Sequence, residues 1–115
     1  MAEFNQVVIL VTIGSHKEAG EMADALLEQR KAACINIVPA VDSRFWWQGR
    51  RDTAREALLI IKTRVSLVDE VVKLVKALHP DDIPEIIALP IIGGNPDYLE
   101  WIDTETRTEP TDSDH

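Results

Sequence analysis

The fold of this chain is decided by two stretches, Ala32-Ala33-Cys34-Ile35-Asn36-Ile37-Val38-Pro39 and Glu56-Ala57-Leu58-Leu59-Ile60-Ile61-Lys62-Thr63. Both are rich in branched apolar residues and are bounded by breaking residues, a pattern typical of strands. Between them lie Ser43-Arg44-Phe45-Trp46-Trp47 and a turn predicted at residues 48–51. The pattern predicts one long antiparallel hairpin with an aromatic tip. Because a domain this small cannot easily bury such a hairpin alone, we expect it to reach into a neighbouring subunit.

The composition is that of one ordinary globular domain. The chain has 115 residues, of which 45% are apolar and 28% charged, enough for a single core. Its net charge of -8 disfavours nucleic-acid binding, which needs a basic surface to attract phosphates. The same charge suits cationic partners, including metal ions.

The sequence also predicts a cytoplasmic protein with no membrane partner. Cys34 is the only cysteine, so no intrachain disulfide can form, which suits a reducing compartment. The first six residues lack the basic start of a signal peptide. The apolar run from Val7 to Ile13 is far shorter than the roughly 20 residues that cross a bilayer.

Hydrophobic periodicity predicts the remaining elements. Val7–Ile13 has the pattern of a strand buried on both faces. Two helices are expected after it, one capped by Ser15 and one by Ser66, because each cap precedes an apolar stripe of helical period. A strand is expected at residues 85–92, ending or lying at a sheet edge at Pro90.

The C-terminal part is predicted to hold a short helix capped by Asn95, followed by a polar stretch. The full order is that of the ferredoxin-like β-α-β-β-α-β plan, an α+β sandwich with a long β2-β3 hairpin and an extra C-terminal helix. We expect one domain at residues 1–104 and a disordered acidic tail at 105–115.

Several of these motifs resemble one family, the CutA divalent-cation tolerance proteins. The resemblance runs from about Val7 to Ile102 and is carried by Ala32–Ile37, Ser43, Trp47-Gln48-Gly49, Glu56, Leu58–Thr63, His79-Pro80, Pro84–Ile87, Leu89–Ile91, Tyr98-Leu99 and Trp101. It implies a ferredoxin-like fold assembled as a homotrimer through edge strands and the hairpin. It also implies a cytoplasmic role in tolerance of copper and other divalent metals, with no catalytic activity.

The sequence departs from the family at its copper ligands. Copper binding in some bacterial members is ascribed to a first-strand cysteine and two histidines just before the proline. Here Val11 stands at the strand position and Leu78-His79 replaces the pair, so only His79 remains. Asp81 stands where the family usually has a tyrosine.

A metal site is one interpretation of the loop that contains His79, Asp81, Asp82 and Glu85. Imidazole suits copper or zinc, while carboxylates suit harder ions, so Cu(II) or another divalent cation is the expected cofactor. In the alternative interpretation, the acids are solvated loop residues and His79 makes a local hydrogen bond.

A ligand pocket or subunit interface is the second candidate site. Lys62 lies in an otherwise apolar strand. In one interpretation it binds an anion or forms an ion pair between subunits, and in the other it reaches solvent at the end of the strand. Cys34 and Asn36 alternate with core positions on the first hairpin strand and face another subunit or a pocket, although Cys34 also suits simple packing.

Aromatic side chains complete that second candidate. Trp46 and Trp47 point to opposite faces of the hairpin, and Trp46 contacts a partner unless it packs under a loop of its own chain. Tyr98 and Trp101 either line a pocket or pack in the core.

Two functions from different classes follow from the sequence. The first is a non-enzymatic, trimeric protein that binds divalent metal ions. The alternative is a small-ligand-binding signalling protein, similar to the trimeric nitrogen-regulatory proteins, with pockets between subunits lined by Lys62, Glu85, Tyr98 and Trp101.

Overall fold

The computed structural model describes residues 4–107. In chain order, the elements in this part are β1 Gln6–Ile13, α1 His16–Glu28, β2 Cys34–Trp47, β3 Arg50–Arg64, a short 3-10 turn Val65–Leu67, α2 Val68–Leu78, β4 Ile86–Pro90 and α3 Pro96–Glu105. This order confirms the predicted α+β class and the extra C-terminal helix.

The four strands form one antiparallel sheet in the order β2-β3-β1-β4. β3 pairs with β1 along the whole of β1, from Gln6 opposite Arg64 to Ile13 opposite Ala57. β4 is an edge strand that ends at Pro90, as predicted, because proline has no N–H to donate to a further ladder.

The long hairpin of β2 and β3 is confirmed, with a tighter turn than expected. Only Gln48 and Gly49 form the turn, and both have positive φ, 51° and 78°. Two consecutive left-handed residues are what a two-residue hairpin turn requires, so Arg50 and Arg51 belong to β3 rather than to the turn. A register shift between Val38 and Val41 accommodates Pro39.

Two of the three predicted helix caps are present. The Ser15 hydroxyl accepts the Glu18 N–H, and the Asn95 side chain accepts the Asp97 N–H. The cap predicted at Ser66 is wrong. The chain leaves β3 through the 3-10 turn, α2 begins at Val68, one residue later than a Ser66 cap predicts, and its cap Leu67 makes no side-chain hydrogen bond. The Val65 N–H is instead bonded to the Asn5 carbonyl, so a tertiary contact sets where this helix begins.

The core lies between α1, α2 and one face of the sheet. Alternate residues of β1 and β3, such as Ile9, Val11, Leu59 and Ile61, are fully buried there against both helices. β1 is therefore buried on one face and only half-buried on the other, in contrast to the two buried faces predicted.

The opposite sheet face lacks α1 and α2. The pairing register places on it the side chains of Gln6, Val8, Leu10, Thr12, Cys34, Asn36, Val38, Leu58, Ile60, Lys62, Arg64, Ile87 and Leu89. We call this set the open face. Ile87 and Leu89 are 50% and 45% exposed, so the open face is largely apolar without being covered.

Helix α3 packs across one end of the same side of the sheet. The Gln6 amide donates to Asp103 and the Arg64 guanidinium donates to Thr106. Thr106 is buried and Glu105 is the last residue of α3, so both belong to the folded domain rather than to the tail predicted from residue 105. The rest of that predicted tail, residues 108–115, lies outside the described residues.

The far end of the hairpin extends beyond β1. Residues 41–56, which we call the arm, have no partner in β1 because the last pair of that ladder is Ile13 with Ala57. A strand of 15 residues such as β3 spans roughly 50 Å at about 3.3 Å per residue. That length accounts for the longest dimension of the molecule, 55 Å.

Candidate functional site

A cleft lies between the arm and the loop that joins α2 to β4. Its volume is about 1010 Å³, and Thr12 and Gly14 at the end of β1 contribute to its floor. One wall is formed by arm residues that include Phe45, Trp46 and Trp47, and the other by residues 80–85. The arm and this loop meet because both lie at the end of the sheet where β1 stops.

His79 ends helix α2 and is held by two hydrogen bonds. Its Nε2 lies 2.7 Å from the Thr12 carbonyl oxygen, and the Asp81 N–H donates to its Nδ1 at 3.1 Å. A carbonyl can only accept, so Nε2 carries the proton and the ring is the neutral tautomer. Both ring nitrogens are thus engaged, and the side chain is only 8% exposed. Metal binding by His79 requires one of these bonds to break.

The loop acids line the cleft without ion pairs. Asp81, Asp82 and Glu85 are exposed, and none is among the carboxylates that form salt bridges in residues 4–107. This described part of the chain also holds no group of three or more His, Cys, Asp or Glu side chains placed to bind a metal ion. One subunit therefore supplies carboxylates but no preformed coordination sphere.

A second cluster lies on the open face. Cys34 is directly opposite Lys62 in the β2-β3 ladder, and the Lys62 Nζ lies 4.0 Å from the Cys34 Sγ. The same ammonium donates to the Asn36 amide oxygen. The register thus brings together three residues that the sequence had placed on two separate strands.

Helix α3 adds aromatic residues to this cluster. Tyr98 stacks on Trp101 with ring centroids 5.5 Å apart. The pKa of the Tyr98 phenol is raised above its ordinary value of 10.0. Partial burial is the larger cause, and interaction with Cys34 is the smaller one. Tyr98 and Trp101 are still 41% and 40% exposed, which is typical of a pocket rim rather than of a core.

The two tryptophans of the arm lie away from this cluster, in the cleft. Trp46 is opposite Arg51 and Trp47 is opposite Arg50, so their side chains alternate between the two faces of the ladder. Trp46 is 72% exposed. The predicted ligand and interface residues therefore divide between two places, the cleft and the open-face cluster.

Several cleft residues were not expected from the sequence. Arg44, Arg55 and Glu56 line it, and Thr12 contributes the carbonyl that fixes His79. Glu56 carries part of the family resemblance, which is the one signal that marked it. Arg44, Arg55 and Thr12 line the cleft because of where β1 ends relative to the arm, and no local sequence pattern indicates that position.

No helix within residues 4–107 has the length and apolar composition needed to cross a membrane.

Comparisons with known proteins identify the family. The sequence profile of the CutA1 divalent ion tolerance protein matches residues 7–105. Over 102 residues the chain is 51% identical to the rice (Oryza sativa subsp. japonica) protein named CutA 1, chloroplastic, covering 88% of this chain and 57% of that protein. Over 99 residues it is 46% identical to the divalent-cation tolerance protein CutA of Thermus thermophilus, covering 86% and 96%.

Solved structures agree with the sequence comparisons. The crystal structure of CutA1 from Oryza sativa superposes with a TM-score of 0.88 at 45% identity, covering 92% of this chain and 97% of that one. The chain spans little more than half of the rice protein but nearly all of the Thermus one. With a family match over most of its length and relatives of this similarity, the chain belongs to the CutA1 divalent ion tolerance protein family.

Proposed function

We propose that this protein acts in divalent-cation tolerance as a homotrimer that binds divalent metal ions through carboxylates of the cleft. Membership of the CutA1 family is the observation that carries the proposal. Its location is proposed to be cytoplasmic, although the name of the rice relative places that protein in the chloroplast.

Assembly is supported by the apolar surface that one subunit leaves exposed. Ile83, Ile92 and Trp46 are 74%, 83% and 72% exposed, and the open face adds further apolar side chains. An isolated two-stranded ribbon such as the arm is only marginally stable in water. A neighbouring subunit that packs against the arm would stabilise it and cover this surface.

The arm and the surfaces near the cleft are different parts of the same chain, so a contact between them in two copies is head-to-tail. Contacts of this kind build closed rings when the rotation between subunits closes. A ring of three is the assembly that the family resemblance implies, and we propose it here.

Metal binding is proposed to rest on Asp81, Asp82 and Glu85 rather than on His79. The carboxylates are exposed and outside the salt bridges described above, and oxygen ligands suit hard divalent cations. Both ring nitrogens of His79 are already in hydrogen bonds. Because these acids do not form a complete site in one subunit, ligands from a second subunit or from water would complete it.

The proposal is tested by calorimetric titration of the metal-free protein with Mn(II) and, separately, Cu(II), with light scattering for mass. We expect a trimer, and at least about tenfold weaker Mn(II) binding when Asp81 and Asp82 are both changed to Asn. The matched control is the exposed pair Asp24→Asn with Glu28→Gln on α1, which leaves binding unchanged. Equal binding by both double variants would exclude Asp81 and Asp82 as ligands.

Binding of a small molecule between subunits is the second candidate function. One observation favours it, namely that the Lys62 ammonium on the open face forms no salt bridge with an acid of residues 4–107.

A further inference from the structure

The open face carries two positive charges, Lys62 among apolar residues and Arg64 at the end beside α3. Arg64 is bonded to Thr106 at the end of α3, whereas two other neighbours of Lys62 on this face, Val8 opposite it on β1 and Ile60 along β3, are apolar. The Lys62 side chain is half-buried. A lysine in such a position destabilises the folded protein unless its ammonium is paired or reaches water.

The contacts of Lys62 do not neutralise it. Its Nζ donates to the Asn36 amide oxygen and lies 4.0 Å from the Cys34 sulfur. Neither group carries a carboxylate charge, and none of the salt bridges in residues 4–107 includes Lys62. The ammonium is therefore in no ion pair within residues 4–107 and has further hydrogens to donate.

The groups around Lys62 are also donors. Because the Asn36 oxygen accepts from Lys62, the two N–H groups of the same amide are left for another acceptor. Burial and, after it, interaction with Cys34 raise the pKa of the Tyr98 phenol, and Cys34 lies opposite Lys62 in the ladder, so Tyr98 borders the same cluster. An ammonium, an amide and a hydroxyl at one place match a group that has several acceptor oxygens and a negative charge.

Formation of the trimer increases the need for a negatively charged partner for Lys62. If a second subunit covers the open face, the Lys62 charge is removed from water, and an unpaired buried charge is strongly destabilising. We propose that Lys62, Asn36 and Tyr98 bind a small oxyanion, a carboxylate or a phosphate, at the place where the neighbouring subunit covers the open face. This inference rests on the proposed trimer and specifies the ligand class of the second candidate function.

In the single subunit, the side of the site beside α3 is open to solvent. Tyr98 is 41% exposed and Asn36 is exposed, so a ligand can reach the ammonium from solvent. The stacked Trp101 ring lies next to Tyr98 and gives an organic carboxylate an apolar surface to contact.

The test measures the melting temperature of the purified trimer against the concentration of succinate and, separately, of inorganic phosphate, with ionic strength held constant by sodium chloride. A ligand that binds only the folded protein raises the melting temperature with the logarithm of its concentration. We expect this rise for at least one anion in the wild type. We expect a roughly 10- to 100-fold higher concentration to be needed after Lys62→Met, since a hydrogen bond to a charged group is lost.

Lys76→Met is the matched control, because Lys76 is exposed on α2 and outside the salt bridges described above; it should respond as the wild type does. Lys62→Arg, which keeps the charge, should retain part of the response. If Lys62→Met does not fold, Tyr98→Phe and Asn36→Ala serve instead, and each should weaken the response several-fold.

Three outcomes would overturn the inference. A wild-type trimer that responds to neither anion has no such site. An equal response by Lys62→Met and the wild type places the anion elsewhere. A Lys62→Met protein that loses its trimer, beside an anion-insensitive wild type, shows that Lys62 serves assembly without an anion. Light scattering on the same samples reports the assembly separately, so a monomeric wild type would refute the trimer itself.

Discussion

Replacing His79 by alanine distinguishes a structural histidine from a metal ligand. The substitution removes two hydrogen bonds, one to the Thr12 carbonyl at 2.7 Å and one from the Asp81 N–H at 3.1 Å. Each contributes about 1 kcal/mol net, and burial of the ring carbons adds about 1 kcal/mol more. We therefore expect His79→Ala to lower the free energy of unfolding by about 3 kcal/mol.

Two further variants separate the contributions of the ring nitrogens. In His79→Gln the amide nitrogen can occupy the place of Nε2 and keep the bond to Thr12. In His79→Asn the amide oxygen can occupy the place of Nδ1 and accept from Asp81. Each should recover about 1 kcal/mol relative to alanine, because each restores one of the two bonds.

The assay is urea unfolding followed by tryptophan fluorescence, with all variants at the same protomer concentration, since the stability of an oligomer depends on concentration. Calorimetric titration with Cu(II) accompanies it. If His79→Ala unfolds at the same urea concentration as the wild type but no longer binds Cu(II), the structural role is refuted and His79 is a ligand.

Three other predictions concern the arm and the open-face cluster. Trp46→Glu should give monomers or insoluble protein; a soluble trimer, measured by light scattering, would show that Trp46 is outside the interface. Gly49→Ala should lower the free energy of unfolding, measured in urea, by about 1–2 kcal/mol. The reason is that φ is +78° there and a side chain disfavours that conformation. Gly93→Ala is its control, since an added Cβ meets nothing within 4 Å at either glycine; an equal effect at both would refute the backbone explanation. Tyr98, the only tyrosine, should ionise above its ordinary pKa of 10.0 when absorbance at high pH is followed. Because this pKa is raised on folding, its stabilisation is complete below pH 10.0 and is lost as the pH rises through the folded pKa. Cys34→Ala should move the titration towards its ordinary value, and an unchanged titration would count against the contact.

The arm links these predictions to function. Its two strands pair with each other but extend past the end of β1, so little of its own subunit stabilises them. A change that loosens the arm, such as Gly49→Ala, should therefore weaken the trimer as well as the fold. A change within the loop acids should affect metal binding and leave the mass of the assembly unaltered.

The sequence by itself determined the elements whose cause is local. The alternation of branched residues gave both hairpin strands, and Ser15 and Asn95 start helices because a side-chain oxygen accepts an N–H only a few residues away. The sequence predicts the start of α2 to within one residue, Leu67 against the observed Val68, but it does not predict the 3-10 turn that begins at Val65. That turn is set by a bond between Val65 and Asn5, which lie far apart in the chain.

The tertiary structure alone decided how the candidate residues are grouped. Lys62 and Cys34 are adjacent because the β2-β3 register places them opposite each other. His79 is bonded to Thr12, 67 residues earlier in the chain. Its imidazole is therefore already hydrogen-bonded, which no sequence motif indicates. Residue types reveal which side chains can bind a metal or an anion. Which of them meet, and which are already hydrogen-bonded, depends on contacts between distant segments that form only when the sheet does.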